Sequence, residues 1–329
     1  MNGVINKREN GIDILKAICA FGVVCIHVSF SGGIGDYYIA LQRVAVPIFF
    51  MISGYFYRGN VCEKDKYYNI KKAFIIMIKA NILYFCLKLC ICIISGDSVD
   101  LFLGNIFSNK NIVKFILFNE SPVAGHLWYL SAILYVYIIM SLFDVERHKK
   151  FTYFLIPAFL IGDLLLGKYS VLLFEREFPF LLVRNFLFVG IPYFCIGRLL
   201  NNKYRDNVYI SKKKVVMGIV IFTFTTFYER FIITYFDANT MRDHYISTTF
   251  LAVMLFIFAM QNKNSNNDLV RVGREYSAGI YIIHPIIIKA IDCIVERKQS
   301  FIFSLLISIV VYVFSLLIVI LYKKLIEYR

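Results

Sequence analysis

Ten apolar runs, most of them close to the length of a bilayer crossing, constrain this chain more than any motif does. They fall at approximately 12–30, 39–57, 73–95, 126–143, 151–167, 178–200, 215–235, 245–260, 276–294 and 301–322. A hydrocarbon core about 30 Å thick needs roughly 20 apolar residues of helix, and the shorter runs fit as tilted crossings. Inside lipid no water reaches the peptide groups, so a spanning backbone must satisfy its own N–H and C=O groups as helix or closed barrel. Runs of this length suit helices, because a barrel strand crosses in only about 9–11 residues. The predicted fold class is therefore all-α, a polytopic transmembrane bundle of about ten spans. Composition agrees: the chain is 59% hydrophobic and 18% charged, with mean hydropathy +0.66, whereas soluble domains run near ~45–50% and ~25%. No Pro/Ser-rich linker, low-complexity tract or internal repeat divides the 329 residues. The chain reads as a single membrane domain over 1–329.

The formal net charge is +14, and its placement is topological. With ten crossings, one side of the membrane collects Lys7, Arg8, Lys71, Lys72, Lys212, Lys213, Lys214, Lys323 and Lys324, among others. The opposite side holds the smaller set Arg43, Lys110, Lys114, Lys168, Arg176, Arg242, Arg297 and Lys298. An excess of Lys and Arg marks the cytoplasmic side, which puts both termini there and predicts a multi-pass protein of the cell membrane. No soluble basic patch with interleaved aromatics is visible, so nucleic acid is not an expected partner. Lys7 and Arg8 before an apolar run resemble a secretory signal, but the run holds Asp13, Lys16 and His27 and no small-residue cleavage site follows. It reads as a retained first span. The eight cysteines show no Cys-x-x-Cys and no Cys/His ligand spacing. Neither a disulfide framework nor a bound metal is expected.

Ionisable residues inside the spans carry the functional signal. A charge at the bilayer centre costs at least ~2.5–3.5 kcal/mol, so such groups usually face a cavity. His27 follows Lys16 by eleven residues, which brings the two within about 20° on one helix face and about 16 Å apart along it. A neutral imidazole can act as a general base near neutral pH. Arg184, six residues into the sixth run, reads as lining a cavity. Lys16 and Arg198 lie near inner helix ends, from which long side chains can reach headgroups. Glu229 and Arg230 read as a mutual pair or as a solvated helix end, and Asp163, His148 and His244 as solvated.

Four local patterns then come together: Asp13-Ile-Leu-Lys16 leading to His27; Val46-Pro47-Ile-Phe-Phe-Met-Ile-Ser53-Gly54-Tyr55 with Arg58 beyond; His126-Leu127-Trp128-Tyr129-Leu130; and Tyr276-Ser277-Ala-Gly279-Ile-Tyr281-Ile-Ile-His284-Pro285. In this order and spacing the chain resembles the acyltransferase-3 family of integral membrane acyltransferases over nearly its whole length. The resemblance implies transfer of an acyl group, acetyl for preference, from cytoplasmic acyl-CoA to a hydroxyl on an extracytoplasmic acceptor such as a cell-surface glycan or envelope precursor. It implies membrane lipid, the acyl-CoA donor and that acceptor as partners, and no tightly bound cofactor. In the family's first-helix signature an arginine precedes the histidine; here Lys16 stands in that place. Lysine keeps the charge and loses the planar fork that grips two phosphate oxygens.

On this reading His27 is the base and Lys16 the donor-side cation, with Arg58, His126, Arg184, Tyr281 and His284 as substrate-binding candidates. Arg184, Tyr281 or a backbone N–H at a helix break can each supply the oxyanion donor. His284 precedes Pro285, whose missing N–H frees carbonyl groups that the imidazole can bond. Ser53 and Gly54 suit close helix packing. The long connection 95–125 holds apolar/polar stretches around Leu101–Phe107 and Ile112–Phe118, too short to span and suited to an interfacial helix or lid. A second resemblance runs to the membrane half of membrane-bound serine racemases, through Val44-Ala45-Val46-Pro47-Ile48-Phe49-Phe50. It implies an amino-acid (serine) transporter-like domain as the alternative. A binding protein that kept the fold without catalysis is a third reading.

Overall fold

The computed structural model describes residues 9–30, 32–57, 63–143, 147–205, 210–238, 244–262, 267–297 and 300–327. Arg58 lies outside them. The described residues are helical with no strand. In chain order the α-helices are α1 (Asn10–Val28), α2 (Gly32–Gln42), α3 (Ala45–Tyr55), α4 (Glu63–Ser95), α5 (Val99–Ile106), α6 (Asn109–Phe118), α7 (Trp128–Leu142) and α8 (Lys149–Leu166). They continue with α9 (Ser170–Phe174), α10 (Ile191–Arg205), α11 (Lys212–Tyr235), α12 (Ile246–Gln261), α13 (Asp268–Arg271), α14 (Ser277–Asp292) and α15 (Phe301–Glu327). Two π-helical turns, Phe186–Gly190 and Val272–Tyr276, lead directly into α10 and α14.

Six segments among the described residues are long and apolar enough to cross a membrane: α1, Gly32–Tyr55, Lys64–Ser95, Gly125–Leu142, α11 and α15. They coincide with six of the ten predicted runs. The other four runs fall on helices that are charged, short or interrupted. α8 carries Lys149, Lys150 and Asp163 within its 18 residues. α12 and α14 have 16 residues each, and the run 178–200 is broken by a 3-10 turn and a π turn before α10. Two-thirds of α1 (67%) is buried, against 17% of Lys64–Ser95 and 22% of α11. α1 is thus an interior helix, while α4 and α11 offer apolar faces for lipid.

The chain forms two compact units, one from Met1–Phe49, Tyr209–Asp237 and Asp243–Arg329, the other from Phe50–Val208 and Ala238–Arg242. In the first unit Ala20, Val24 and Val28 of α1 pack with Ile280 and Ile288 of α14 and with Ile307, Val311 and Val319 of α15. Gly273 is required here: a Cβ would collide with the Asp13 carbonyl oxygen, so the π turn rests directly on α1. Glu229 and Arg230 take separate partners. The Glu229 carboxylate accepts from the backbone N–H of Ile246 (2.9 Å) and Ser247 (3.0 Å) and from the Ser247 hydroxyl, capping α12. Arg230, a buried side chain, pairs with Asp36 at 3.0 Å. His244, read from sequence as solvated, is buried.

In the second unit α3 and α10 touch backbone to backbone. A Cβ at Gly54 would strike the Phe194 carbonyl, and one at Gly197 would strike the Met51 carbonyl. The expected packing role of Gly54 therefore holds. Arg198 does not reach for headgroups: it is 2% exposed and donates to the Tyr57 carbonyl, while Asn201 donates to the Tyr55 carbonyl at 2.8 Å. Both groups satisfy carbonyls at or just beyond the end of α3, where the helix has no acceptors' partners of its own. Asp163 is likewise buried. The connection 95–125 folds as two short helices, α5 and α6, N-capped by the hydroxyls of Ser98 and Ser108. Asn119 ends α6 at φ 53° and is fully buried; its amide donates to the Trp128 carbonyl (3.3 Å) and its oxygen accepts from Phe186 N–H (2.9 Å).

Candidate active site

α1 has apolar residues through most of its length and runs unbroken from Asn10 to Val28, so Lys16 and His27 share one continuous helix. His27 lies in its last turn and is exposed. Its ring meets that of His284 from α14, with centroids 5.1 Å apart and planes inclined at 46°. His284 is fully buried, and its Nδ1 lies 3.1 Å from the Ile280 carbonyl oxygen. A carbonyl only accepts, so Nδ1 is the donor in this bond. The bonded carbonyl is that of Ile280, one turn before His284, and not the Tyr281 carbonyl that Pro285 leaves without its helical donor. Tyr281 is buried, its ring 6.1 Å from that of His284. Two predicted residues, far apart in sequence, thus form a ring pair with one accessible and one enclosed member.

The opposite end of α1 holds a polar cluster. Asp13 is buried, and its two carboxylate oxygens take different cations: Lys16 Nζ at 3.3 Å and Arg274 Nε at 2.9 Å. Arg274 also donates to Asn10 Oδ1 at 2.9 Å. It comes from the π turn that Gly273 allows onto α1. Sequence reading did not single out Arg274; the structure brings it to the same carboxylate as Lys16. The one available signal was Asp13 itself, a carboxylate in the first turn of an apolar helix that needs more than a single partner. A cavity of about 390 Å³ in the same unit is lined by Leu15, Ile18, Ala45, Ile48, Leu255 and Phe258. It occupies another face of α1, since Ile18 lies about 160° round the helix from Lys16.

In the second unit Arg184 lies just before the π turn, whose N-terminal N–H groups at Leu187 and Phe188 are capped by Asn185 Oδ1 at 2.9 and 3.0 Å. Its guanidinium sits over the Phe180 ring (4.2 Å) and near the Trp128 ring (5.5 Å). With Lys114, Glu120 and Leu181 these residues line a small cavity of about 120 Å³. The prediction that Arg184 borders a cavity agrees with this placement. His126 lies in the 3-10 turn Gly125–Leu127, half-buried, with its ring edge against Tyr84 at 4.7 Å. No group of three or more His, Cys, Asp or Glu that could hold a metal ion occurs among the described residues.

With the geometry in hand, comparison with known proteins identifies the family. Residues 9–323 match the acyltransferase domain profile of the acyltransferase-3 family. Among curated proteins the chain is 24% identical over 345 residues to an amino-acid racemase of Enterococcus faecalis, covering 98% of this chain and 47% of that protein. It is 25% identical over 293 residues to a serine/alanine racemase of Enterococcus gallinarum, covering 84% of this chain and 40% of that protein. The chain spans less than half the length of these relatives. No solved structure matches it. This multi-pass membrane protein belongs to the acyltransferase-3 family.

Proposed function

We propose that the chain is an integral membrane O-acyltransferase that moves an acyl group, acetyl in the simplest case, from cytoplasmic acyl-CoA to a hydroxyl of an extracytoplasmic acceptor such as a cell-surface glycan or envelope precursor. The observation that carries the reading is the exposed His27 ring set against the buried, Nδ1-anchored His284 in a chain of this family. The domain crosses the membrane ten times, both termini cytoplasmic, as one membrane unit embedded in lipid and with no tightly bound cofactor.

His27 takes the hydroxyl proton as the acceptor oxygen attacks the thioester carbonyl carbon. The tetrahedral oxyanion then collapses, the C–S bond breaks, and the imidazolium returns the proton to the leaving thiolate. The products are an ester and free CoA. A base within about 2.6–3.2 Å of the proton is worth roughly 10²–10⁴-fold in such a step. His284 holds the partner ring in place, in the way an orienting group serves a catalytic base. Tyr281 lies on the same helix turn and is offered as a substrate contact. Lys16, about 16 Å down α1 from His27, and Arg274, which shares the Asp13 carboxylate with it, bind the donor's phosphates; Arg58 is offered as a further substrate-binding candidate. In the second unit, Arg184 between its two aromatic rings and His126 are offered as substrate-binding candidates.

A second reading is favoured by the names of the relatives, an amino-acid racemase and a serine/alanine racemase: an amino-acid (serine) transporter-like membrane domain. Purified protein in liposomes separates the two. Release of free CoA from labelled acetyl-CoA, or label transfer to an acceptor, lost in His27→Ala, supports acyl transfer. Uptake of labelled serine with no consumption of the thioester supports the other reading.

A further inference from the structure

The two histidines stand on helices that end close together, and one side chain joins those ends. Val28, next to His27, is the last residue of α1, and its carbonyl is among the acceptors that a helix C-terminus leaves without an internal donor. Ser29 follows at φ 68°, so the chain turns away there and does not extend the helix. Arg297 donates to the Val28 carbonyl through one terminal nitrogen. Its Nε reaches Asp292 Oδ1 at 2.5 Å. Asp292 is the last residue of α14, the helix that carries His284. The turn that presents Arg297 is itself closed by backbone bonds, from Cys293 N–H to the Lys289 carbonyl (3.2 Å) and from Ile294 and Val295 N–H to the Ile291 carbonyl (2.9 and 2.8 Å).

We propose that Arg297 is a positioning residue for the histidine pair, its guanidinium clamping the last turn of α1 to the end of α14 and so setting how His27 faces His284. The proposal rests on the acyltransferase reading of His27. Arg297 touches no reacting atom in it. A guanidinium offers N–H groups in a fixed plane, so one side chain can serve a carbonyl and a carboxylate at once with a defined angle between them. An ammonium on a flexible stem keeps the charge and loses that angle. The clamp therefore differs from an ordinary exposed ion pair, which contributes little: what matters is the third partner, the carbonyl beside the base. Misplacement of a catalytic group by about 1 Å can cost on the order of 10²-fold in rate.

The test uses the full chain in liposomes, with release of CoA thiol from acetyl-CoA as the assay and thermal unfolding of each variant as the control for folding. Arg297→Ala is expected to lower kcat by about 10-fold or more with the donor KM unchanged. Asp292→Ala should do the same from the other end of the clamp, the double variant should be no worse than the single ones, and Arg297→Lys should fail to restore the rate. Wild-type kcat in Arg297→Ala overturns the clamp, as does an effect confined to KM or full rescue by lysine. If Arg297→Ala unfolds, Asp292→Ala decides by the same kcat criterion. His27→Ala run beside them keeps the two claims apart: its inactivity with an active Arg297→Ala defeats the clamp alone, whereas an active His27→Ala defeats the reading of His27 as the base and the clamp with it.

Discussion

A lysine at position 16 changes what the first helix can hold. An ammonium is a compact point charge, able to neutralise a phosphate without gripping two of its oxygens in one plane. The structure supplies a guanidinium next to it: Arg274 shares the Asp13 carboxylate with Lys16 and contacts Asn10 as well. Lys16 and Arg274 converge on this one buried carboxylate, and together they are the donor-side cations of the proposal. Arg274→Ala is therefore expected to raise the donor KM about tenfold with little change in kcat, a loss comparable to one charge-assisted hydrogen bond of about 1.5 kcal/mol. Steady-state kinetics with varied acyl-CoA checks this. A fall in kcat at constant KM would show that Arg274 acts on the chemistry instead. Lys16 and Arg274 lie 258 positions apart in the chain, and no local pattern could have joined them; the family signature pointed to Lys16 alone.

Among elements, the crossing of α3 and α10 shows how a motif serves packing. Gly54 and Gly197 each face the other helix's backbone, so a methyl group at either position meets a carbonyl oxygen that cannot move aside. Gly54→Ala and Gly197→Ala should each destabilise the second unit by about 1–3 kcal/mol, seen as a lower unfolding midpoint of the detergent-solubilised protein. Ser53→Ala, which removes only the hydroxyl that bonds Tyr129 and Tyr137, should cost less. Capping gives a second test. Glu229 closes the N-terminus of α12 from a different helix, and Glu229→Ala should cost about 1 kcal/mol, within the range known for helix caps. Glu229→Gln, which keeps an acceptor oxygen, should recover part of it. The sequence could place Glu229 in a helix but not assign its partners, because Ile246 and Ser247 sit 17 and 18 residues away across a turn.

For the molecule as a whole, hydropathy was the readable part. Runs as apolar as those in α1, α11 and α15 identify themselves, since only burial in lipid or protein accommodates them. The interrupted runs were harder: the segment 178–200 was read as one span, and the structure breaks it at Asn185, whose side chain caps a π turn. Ionisable groups were misjudged for a common reason. Arg198, Asp163 and His244 were read as solvated or snorkelling from their distance to a span's end, but their burial is set by tertiary neighbours that hydropathy does not report. The histidine pair was half legible, with each ring nominated and their contact unforeseen. The proposed topology, ten crossings with cytoplasmic termini, predicts that a single cysteine at the His148 position reacts with an impermeant maleimide only after the membrane is opened, and one at Arg176 reacts from outside. Both positions are exposed, so reaction from the same side would remove α8 as a crossing. The account as a whole depends on His27 doing proton chemistry at the end of α1. Its most direct test is the initial rate of thioester consumption by His27→Ala in liposomes, compared with wild type of equal thermal stability. A loss of at least about 10²-fold is predicted; a rate within about twofold of wild type would contradict it.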